Sequence, residues 1–161
     1  MNRAVNKIAN LSIVLVLLFA LAGCPQQGNG AQQAGSDTAV HDAETAAGTV
    51  EEVMARGQAV YNGNCAACHQ PTGQGLPGAF PPLAQSDFLE GNRREVMQAA
   101  LFGLSGPITV NGVDYNSVMP SMGYLNDQDL ADALTYVFSS WGNSYAAVSV
   151  AEVAALRAEL G

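Results

Sequence analysis

Five consecutive residues near the middle of the chain carry side chains suited to chemistry, Cys65-Ala66-Ala67-Cys68-His69. Two thiols three residues apart lie about one helical turn from each other, so both can reach the two vinyl groups on one edge of a haem. The imidazole that follows is then held beneath the iron, for which it is a suitable nitrogen ligand. The pattern predicts one haem attached covalently through Cys65 and Cys68, with His69 bound to its iron.

Three other kinds of site use cysteines at this spacing. A zinc site needs further ligands, and the remaining cysteine and histidine, Cys24 and His41, stand far away near the N-terminus. A thioredoxin-like redox pair belongs beside a βαβ unit, and the sequence indicates no parallel sheet. A structural disulfide is possible in an exported protein but gives no reason for His69. We therefore favour haem attachment over these alternatives.

A second iron ligand must come from elsewhere in the chain, and two methionines compete for that role. Met119 lies in a loop rich in Pro, Gly and Ser and precedes Pro120, which biases Met119 toward an extended backbone. Met119 can therefore project toward the open side of the iron, and we predict it as the ligand. Met122 is the alternative. Met54 and Met97 fit helix faces and are interpreted as core residues.

An iron held by a histidine on one side and a methionine on the other has no free position for a substrate or for oxygen. The soft thioether also favours ferrous iron and raises the reduction potential. Such a centre passes electrons and performs no bond chemistry. Apolar and aromatic residues around the macrocycle would keep water away from it. The candidates are Leu76, Phe80, Leu83, Leu101, Tyr115 and Tyr124.

The N-terminus has the features of an export signal. Arg3 and Lys7 form a positive segment, and the apolar run that follows ends at Ala22 and is shorter than the ~20 residues that span a bilayer. The run leads into the sequence LAGC, which resembles the bacterial lipobox. We predict a signal peptide at residues 1–23 and a lipid on Cys24, and favour this over a buried helix or an uncleaved anchor because all the features occur in the expected order.

Residues 24–49 are rich in Gly, Gln, Ala, Ser and Thr and lack apolar periodicity, which is typical of a flexible tether. His41 lies there without nearby metal ligands and is interpreted as solvated. The formal charge of the chain is −8, and loss of residues 1–23 removes two cations and no acid, which changes it to −10. An acidic chain repels phosphate, so nucleic acid is excluded as a partner.

Residues 50–161 form the predicted folded domain, which is mainly α-helical. Apolar residues recur at helical spacing between residues 50 and 61. They recur again in a helix capped by Asn126, which continues to Trp141 and is stopped by Gly142.

Two further helices are indicated by capping signals, and one hairpin by a turn. Asn92 is a candidate capping-box residue for a helix that ends near Gly103, and Ser149 is another for the last helix. The apolar stretches at residues 107–110 and 113–115 flank an Asn-Gly pair, which is a strong signal for a two-residue β-hairpin.

Over roughly residues 50–160 the chain resembles the class I c-type cytochromes with one haem. Gly57 and Tyr61 match the glycine and the aromatic residue of that family's first helix, and Tyr136 matches the aromatic residue of its partner helix. The resemblance implies the class I cytochrome c fold, in which helices pack around one covalent haem c, here with one short β-hairpin.

The resemblance also implies roles for individual residues. Pro81 matches the proline whose carbonyl accepts a hydrogen bond from the second ring nitrogen of the haem histidine, here His69. Such a bond fixes the tautomer and the orientation of the imidazole. Met119 lies where the family carries its methionine ligand.

A closer resemblance connects the chain with the haem domains of some copper nitrite reductases and with cytochrome subunits of quinoprotein alcohol dehydrogenases. It rests on residues 75–83, 109–112 and 140–143. We expect an electron-transfer protein, not an enzyme, that is held by lipid on the periplasmic face of a bacterial membrane and exchanges electrons with a redox protein donor and acceptor. The alternatives are a fixed electron-transfer subunit of a dehydrogenase or nitrite reductase complex and an open-site haem sensor or peroxidase.

Overall fold

The structure of the chain is a computed structural model that describes residues 48–161. The predicted signal peptide, Cys24, His41 and the tether as far as residue 47 lie outside the described residues. In the described part, six helices and one two-stranded hairpin follow each other. They are α1 (Val50–Asn64), α2 (Ala66–His69), α3 (Asp87–Gly91), α4 (Arg93–Phe102), β1 (Ile108–Val110), β2 (Val113–Tyr115), α5 (Asp127–Ser139) and α6 (Val150–Leu160). None of these six helices has the length and apolar character needed to cross a membrane. The predicted mainly α-helical domain with one hairpin is confirmed.

Three of the helices begin at side chains that satisfy their first free N–H groups. The hydroxyl of Thr49 accepts a hydrogen bond from the backbone N–H of Glu52, and the Glu52 carboxylate accepts one from the Thr49 N–H at 2.8 Å. The same reciprocal box opens α6 at Ser149, as predicted. The predicted cap at Asn126 is also present, since its side-chain oxygen accepts from the N–H of Asp129 at 2.8 Å and opens α5.

One predicted cap and one predicted helix end are wrong. Asn92 occupies the position before α4, which ends at Phe102 next to Gly103 as predicted, but it forms no capping box, because its side-chain amide donates to the carbonyl of Phe88 at 3.0 Å and so completes the end of α3. Helix α5 ends at Ser139 and does not reach Trp141. The helix ends there because Ser140 has an extended backbone and Trp141 has a φ of 55°, outside the right-handed helical region.

The predicted hairpin is confirmed, and it is fastened to the start of α3. Its strands pair antiparallel with Ile108 opposite Tyr115. Asn111 and Gly112 both have positive φ, at 51° and 75°, as a type I′ turn requires. The N–H of Asp87 donates to the side-chain oxygen of Asn111 at 3.0 Å, and the N–H of Asn111 donates to the Asp87 carboxylate at 2.7 Å. This exchange fixes the hairpin against α3.

Helices α1 and α5 cross at Gly57, and the approach leaves no room for a side chain. A Cβ atom at this position would lie 2.2 Å from the carbonyl oxygen of Asp132 and 2.8 Å from the Cβ of Tyr136. Beside the crossing, the Arg56 guanidinium lies 2.6 Å from the carboxylate of Asp132, which is 3% exposed. Gly57, which matches the family's helix-crossing glycine, is therefore required at this position for steric reasons.

We expect Gly57→Ala to lower the free energy of unfolding of the haem-loaded protein by about 1–3 kcal/mol or more. That is the usual cost of overpacking, and a backbone carbonyl cannot move aside as a flexible side chain can. Guanidinium unfolding followed by circular dichroism measures the change.

Gly63→Ala is the matched control, because this glycine lies in the same helix and a Cβ there meets no atom within 4 Å. It should raise the free energy of unfolding by up to about 1 kcal/mol through helix propensity alone. Equal effects of the two substitutions would contradict a close crossing at Gly57.

Candidate haem site

An apolar cleft opens between the end of α1, the faces of α4 and α5, the hairpin and the loop at residues 117–122. Its lining includes no Asp, Glu, Lys or Arg side chain from residues 48–161. The apolar and aromatic lining residues include Phe80, Leu83, Phe88, Val96, Ala100, Leu104, Ile108, Val110, Tyr115, Leu130, Leu134 and Val137. A flat and largely hydrocarbon group suits a space with these walls.

The residues that carry the predicted attachment chemistry meet at one end of this cleft. Helix α1 ends at Asn64, and Cys65 then begins the single helical turn of α2. The N–H groups of Cys68 and His69 both donate to the carbonyl of Cys65, at 3.2 and 2.9 Å. This tight turn brings both thiols and the imidazole to the cleft lining.

The imidazole of His69 is oriented by a backbone carbonyl. Its Nδ1 lies 2.9 Å from the carbonyl oxygen of Pro81, and the residue is 8% exposed. Because a carbonyl only accepts, Nδ1 carries the proton, and Nε2 keeps its lone pair for a metal. Burial lowers the pKa of His69, while the hydrogen bond to Pro81 opposes this, so the ring is neutral at neutral pH.

The alternatives to haem attachment find no support in the described part of the chain. No disulfide joins Cys65 to Cys68. Burial, with a smaller contribution from Cys68, raises the pKa of Cys65 to about 11, so it is a poor thiolate nucleophile for disulfide exchange. Between residues 48 and 161 no three His, Cys, Asp or Glu side chains are grouped as a metal cage would need.

Met119 lines the cleft and is fixed through its backbone. Its N–H donates to the carbonyl of Leu104 at 2.8 Å, and the N–H of Leu104 donates back at 3.0 Å, so the two form an antiparallel bridge. Gly103 closes against this bridge, since a Cβ there would lie 2.8 Å from the Met119 carbonyl oxygen. The loop that carries Met119 is thereby held to the end of α4.

Met122 also lines the cleft, and its sulfur lies beside a hydroxyl group. Its N–H donates to the carbonyl of Ala100 at 2.9 Å, and the side chain is 9% exposed. The hydroxyl of Tyr124 lies 3.3 Å from the Met122 sulfur and 2.8 Å from the side-chain oxygen of Asn64. Among the described residues, no donor is bonded to the sulfur of Met119.

An aromatic cluster supports the segment that follows the histidine. The hydroxyl of Tyr61, which is fully buried, donates to the carbonyl of Gln70 at 2.6 Å. The Tyr61 ring packs against Tyr136 and Trp141, with ring centroids 5.6 and 5.0 Å apart. Trp141 in turn covers Gly73, where a Cβ would lie 2.5 Å from the indole. These contacts connect the haem-binding segment to the crossing of α1 and α5.

Half of the residues predicted to surround a macrocycle line the cleft, and half do not. Phe80, Leu83 and Tyr115 belong to the lining. The prediction is wrong for Leu76, Leu101 and Tyr124, which are not among the lining residues.

Leu76 is 50% exposed, because its backbone pairs with Phe80 in a turn that directs the side chain outward. Leu101 is buried, at 1% exposure, within the helical core and not at the cleft. Tyr124 is 71% exposed and reaches the rim only through its hydroxyl.

Sequence reasoning missed the contribution of α3 and α4 to the cleft. Val96, Ala99 and Ala100 line it from one face of α4, and their spacing of three and four residues was a usable signal. Phe88 also lines it, but it belongs to a helix of only five residues, which is too short to show periodicity, and Ser86 precedes that helix.

The residues present fit a covalently attached haem c. Two adjacent thiols can form the thioethers, a neutral imidazole presents its free nitrogen, and an apolar cleft continues from them toward two methionine side chains. The predicted cofactor is therefore consistent with the chemistry of the side chains that the fold brings together.

Comparison with known proteins supports this assignment. The family described as Cytochrome c matches residues 54–141, which is more than half of the chain. A cytochrome c-552 from Thermus thermophilus is 43% identical over 95 residues, which cover 56% of this chain and 72% of that protein.

Two longer proteins match as well. The gluconate 2-dehydrogenase cytochrome c subunit of Pantoea cypripedii is 35% identical over 105 residues, which cover 63% of this chain and 24% of the subunit. The cytochrome c subunit of the quinone alcohol dehydrogenase of Gluconobacter oxydans is 33% identical over 104 residues, which cover 63% of this chain and 22% of the subunit. The predicted likeness to subunits of quinoprotein dehydrogenases is confirmed, and the likeness to nitrite reductase domains stays a prediction.

We expect the double substitution Cys65→Ser/Cys68→Ser to abolish the haem that stays on the polypeptide in denaturing electrophoresis. Serine hydroxyls do not form the thioethers, so denaturation would release the group. Haem staining of the gel measures the loss. Cys24→Ser is the control and should keep the stain, because Cys24 lies outside the attachment motif. Stain on the double variant would contradict the assignment.

Proposed function

The chain belongs to the cytochrome c family and binds haem c covalently, and from that premise we propose a lipid-anchored electron carrier on the periplasmic face of a bacterial membrane. The family membership establishes that the chain is an electron-transfer protein and not itself an enzyme. His69 and Met119 would hold the iron, Cys24 would carry the anchor, and the partners would be a redox protein donor and acceptor.

The observation that carries the ligand assignment is the fixed position of Met119 at the cleft. Its backbone is held to Leu104 by two hydrogen bonds, and no donor among the described residues occupies its sulfur. The sulfur of Met122 lies 3.3 Å from the hydroxyl of Tyr124, whose one proton is also within reach of Asn64 at 2.8 Å. A methionine whose sulfur has no polar neighbour and whose backbone is held is the better candidate for a permanent soft ligand.

The protein residues around the cleft have the properties that an electron carrier needs. When bound, the haem supplies an iron that cycles between Fe(III) and Fe(II) and so carries one electron. The carbonyl of Pro81 holds the imidazole of His69 in one orientation. The apolar walls exclude water, which disfavours the more highly charged ferric state and so raises the reduction potential.

The anchor is supported by the sequence before the folded domain. The basic segment, the apolar run and the LAGC sequence occur in the order that precedes a lipidated cysteine. The predicted tether, residues 24–49, has an expected reach of roughly 25–30 Å as a random coil, which would let an attached domain turn above a membrane. A domain with that freedom meets a donor and an acceptor in succession.

A second candidate is a fixed electron-transfer subunit of a periplasmic dehydrogenase or nitrite reductase complex. The matches to dehydrogenase cytochrome subunits favour it, although this chain covers less than a quarter of each of those proteins. Purification under mild conditions separates the two candidates, because a fixed subunit comes with a large partner and a mobile carrier comes alone.

We expect Met119→Ala to abolish the weak near-infrared band of sulfur-ligated ferric haem and to lower the reduction potential. Removal of the soft ligand leaves a position that water or carbon monoxide can occupy, so the reduced variant should also bind carbon monoxide. Absorption spectroscopy and potentiometric titration measure the three changes together.

Met122→Ala is the control, and it should keep the band and cost at most a few kcal/mol of stability as a truncated buried side chain. Loss of the band only at position 122 would transfer the ligand role to Met122. Absence of the band in the unmodified protein, with ready binding of carbon monoxide, would instead support the open-site sensor or peroxidase.

We expect the mature protein to fractionate with membranes, and Cys24→Ser to leave the precursor uncut or to release a soluble form. Loss of the thiol removes the site of lipid attachment, and two or more acyl chains are what hold such a protein stably. Fractionation followed by mass spectrometry of the N-terminal peptide measures both. If the wild-type protein is found free in the periplasm, the proposal of a lipid anchor is wrong.

A further inference from the structure

The turn that follows α5 contains a bulky residue in an unfavourable backbone conformation. Trp141 has a φ of 55° and Gly142 one of 91°, and the N–H of Asn143 donates to the carbonyl of Ser140 at 2.9 Å and closes the turn. A left-handed conformation is disfavoured for a large side chain, so contacts made elsewhere must offset its free-energy cost. The side chains of Trp141 and Asn143 supply such contacts.

Asn143 joins the end of α5 to a segment that is distant in sequence. Its Nδ2 donates to the carbonyl of Val137 at 2.8 Å and to the carbonyl of Leu83, 60 positions away, also at 2.8 Å, and the residue is 6% exposed. Because carbonyl oxygens only accept, the atom that faces both of them is the amide nitrogen. The bond to Val137 satisfies a free carbonyl in the last turn of α5, and the bond to Leu83 goes beyond helix capping.

Leu83 lies two residues beyond the carbonyl that orients the haem histidine. That carbonyl belongs to Pro81, and Nδ1 of His69 lies 2.9 Å from its oxygen. The ring of Pro82 fixes its own φ and restricts the preceding residue, Pro81, to an extended backbone. The segment from Pro81 to Leu83 is therefore stiff, so the position of the Leu83 carbonyl limits where the Pro81 carbonyl can point.

The same turn covers the segment that leads away from His69. The indole of Trp141 lies over Gly73, where a Cβ would come within 2.5 Å of it. The carbonyl of Gly73 accepts from the N–H groups of Leu83 and Ala84, at 2.7 and 2.8 Å. The turn thus contacts two segments that are bonded to each other, one that follows the histidine and one that contains its hydrogen-bond acceptor.

We propose that Asn143 is a positioning residue for His69, because its amide holds the Leu83 carbonyl and so keeps the Pro81 carbonyl at Nδ1 of the imidazole. The proposal rests on the proposed role of His69 as an iron ligand. Apart from His69, no other side chain of residues 48–161 is hydrogen-bonded to the backbone of residues 80–85. Residues 75–83 and 140–143 resemble the same cytochromes, and this one amide connects them.

The bond itself is measured in the unmodified protein. In the haem-loaded protein, labelled with ¹³C and ¹⁵N and reduced to the ferrous state, nuclear magnetic resonance should show couplings across hydrogen bonds from Nδ2 of Asn143 to the carbonyl carbons of Leu83 and Val137. A coupling to Val137 alone would overturn the proposal, because Asn143 would then only cap α5. This measurement needs no substitution, so it does not depend on whether a variant folds.

Asn143→Ala tests the effect on the histidine. Loss of the amide should weaken the hydrogen bond from His69 to Pro81 and so move the Nδ1–H proton resonance to lower frequency. Exchange of this proton with water should become about 3- to 10-fold faster relative to the slowest backbone amides of the same variant, which report global unfolding. That factor corresponds to the usual net contribution of one hydrogen bond.

Thr135→Val is the matched control, because Thr135 lies in α5 and is also 6% exposed. Its hydroxyl donates to the carbonyl of Val148 at 3.2 Å and accepts from the Val148 N–H at 2.9 Å, and it makes no bond to residues 80–85. The variant should therefore lose stability without a change in the Nδ1–H resonance. An unchanged resonance in Asn143→Ala, or equal changes in both variants, would overturn the proposal, since Asn143 would then contribute stability alone.

Failure of the proposed function gives a different result. If His69 does not bind the iron, the Nε2 resonance of the unmodified ferrous protein keeps the value of a free neutral imidazole. The couplings of Asn143 and the comparison of the two variants concern only the bond between His69 and Pro81. The positioning role can therefore fail while His69 is shown to be an iron ligand.

Discussion

The site depends on how closely α1 approaches α5 at Gly57. Cys65 directly follows α1, and α5 forms one wall of the cleft, so the separation of the two helices sets the position of the attachment cysteines relative to that wall. The contact is also distant in sequence, since the adjoining pair Arg56 and Asp132 lies 76 positions apart. One methyl group at position 57 would displace a backbone carbonyl, and no side-chain rearrangement could absorb that.

The few cations of the described part are all used in ion pairs between helices. With four arginines and no lysine in the described part, each arginine connects separate elements. Arg157 of α6 binds Asp127 and the carbonyls of Gly123 and Leu125, and so secures the segment that follows Met122. The arginines thus act as connectors on the outside, while the cofactor space stays uncharged.

Local signals were sufficient for the attachment motif, the hairpin and most helix starts. Cys65, Cys68 and His69 are contiguous, and an Asn-Gly turn needs no distant partner, so their geometry could be predicted. Gly57 and Tyr61 were recognised through a family resemblance, although only the structure supplies the clash that requires the glycine. The sequence offers two candidates for a methionine ligand, Met119 and Met122, and both line the cleft.

Features that depend on tertiary context were not predictable. The side chain of Asn92 bonds to α3, a helix too short to show a periodic pattern. Leu101 and Tyr124 are apolar or aromatic like the true lining, but the direction in which a side chain faces depends on neighbours that are remote in sequence. Ser86 also lines the cleft, but it is a polar residue between Gln85 and Asp87, so the sequence gave no sign that it is buried there.

The apolar cleft has a thermodynamic consequence for the whole protein. Its walls belong to α4, α5 and the hairpin, so an empty cleft would leave apolar surface of all three in water. A haem that fills the cleft therefore stabilises the folded state, as does any ligand that binds the native state alone. The haem is joined to Cys65 and Cys68, so its binding to the cleft is an intramolecular event. The melting temperature should then be independent of dilution, and the folded population cannot be lost by dissociation of the cofactor.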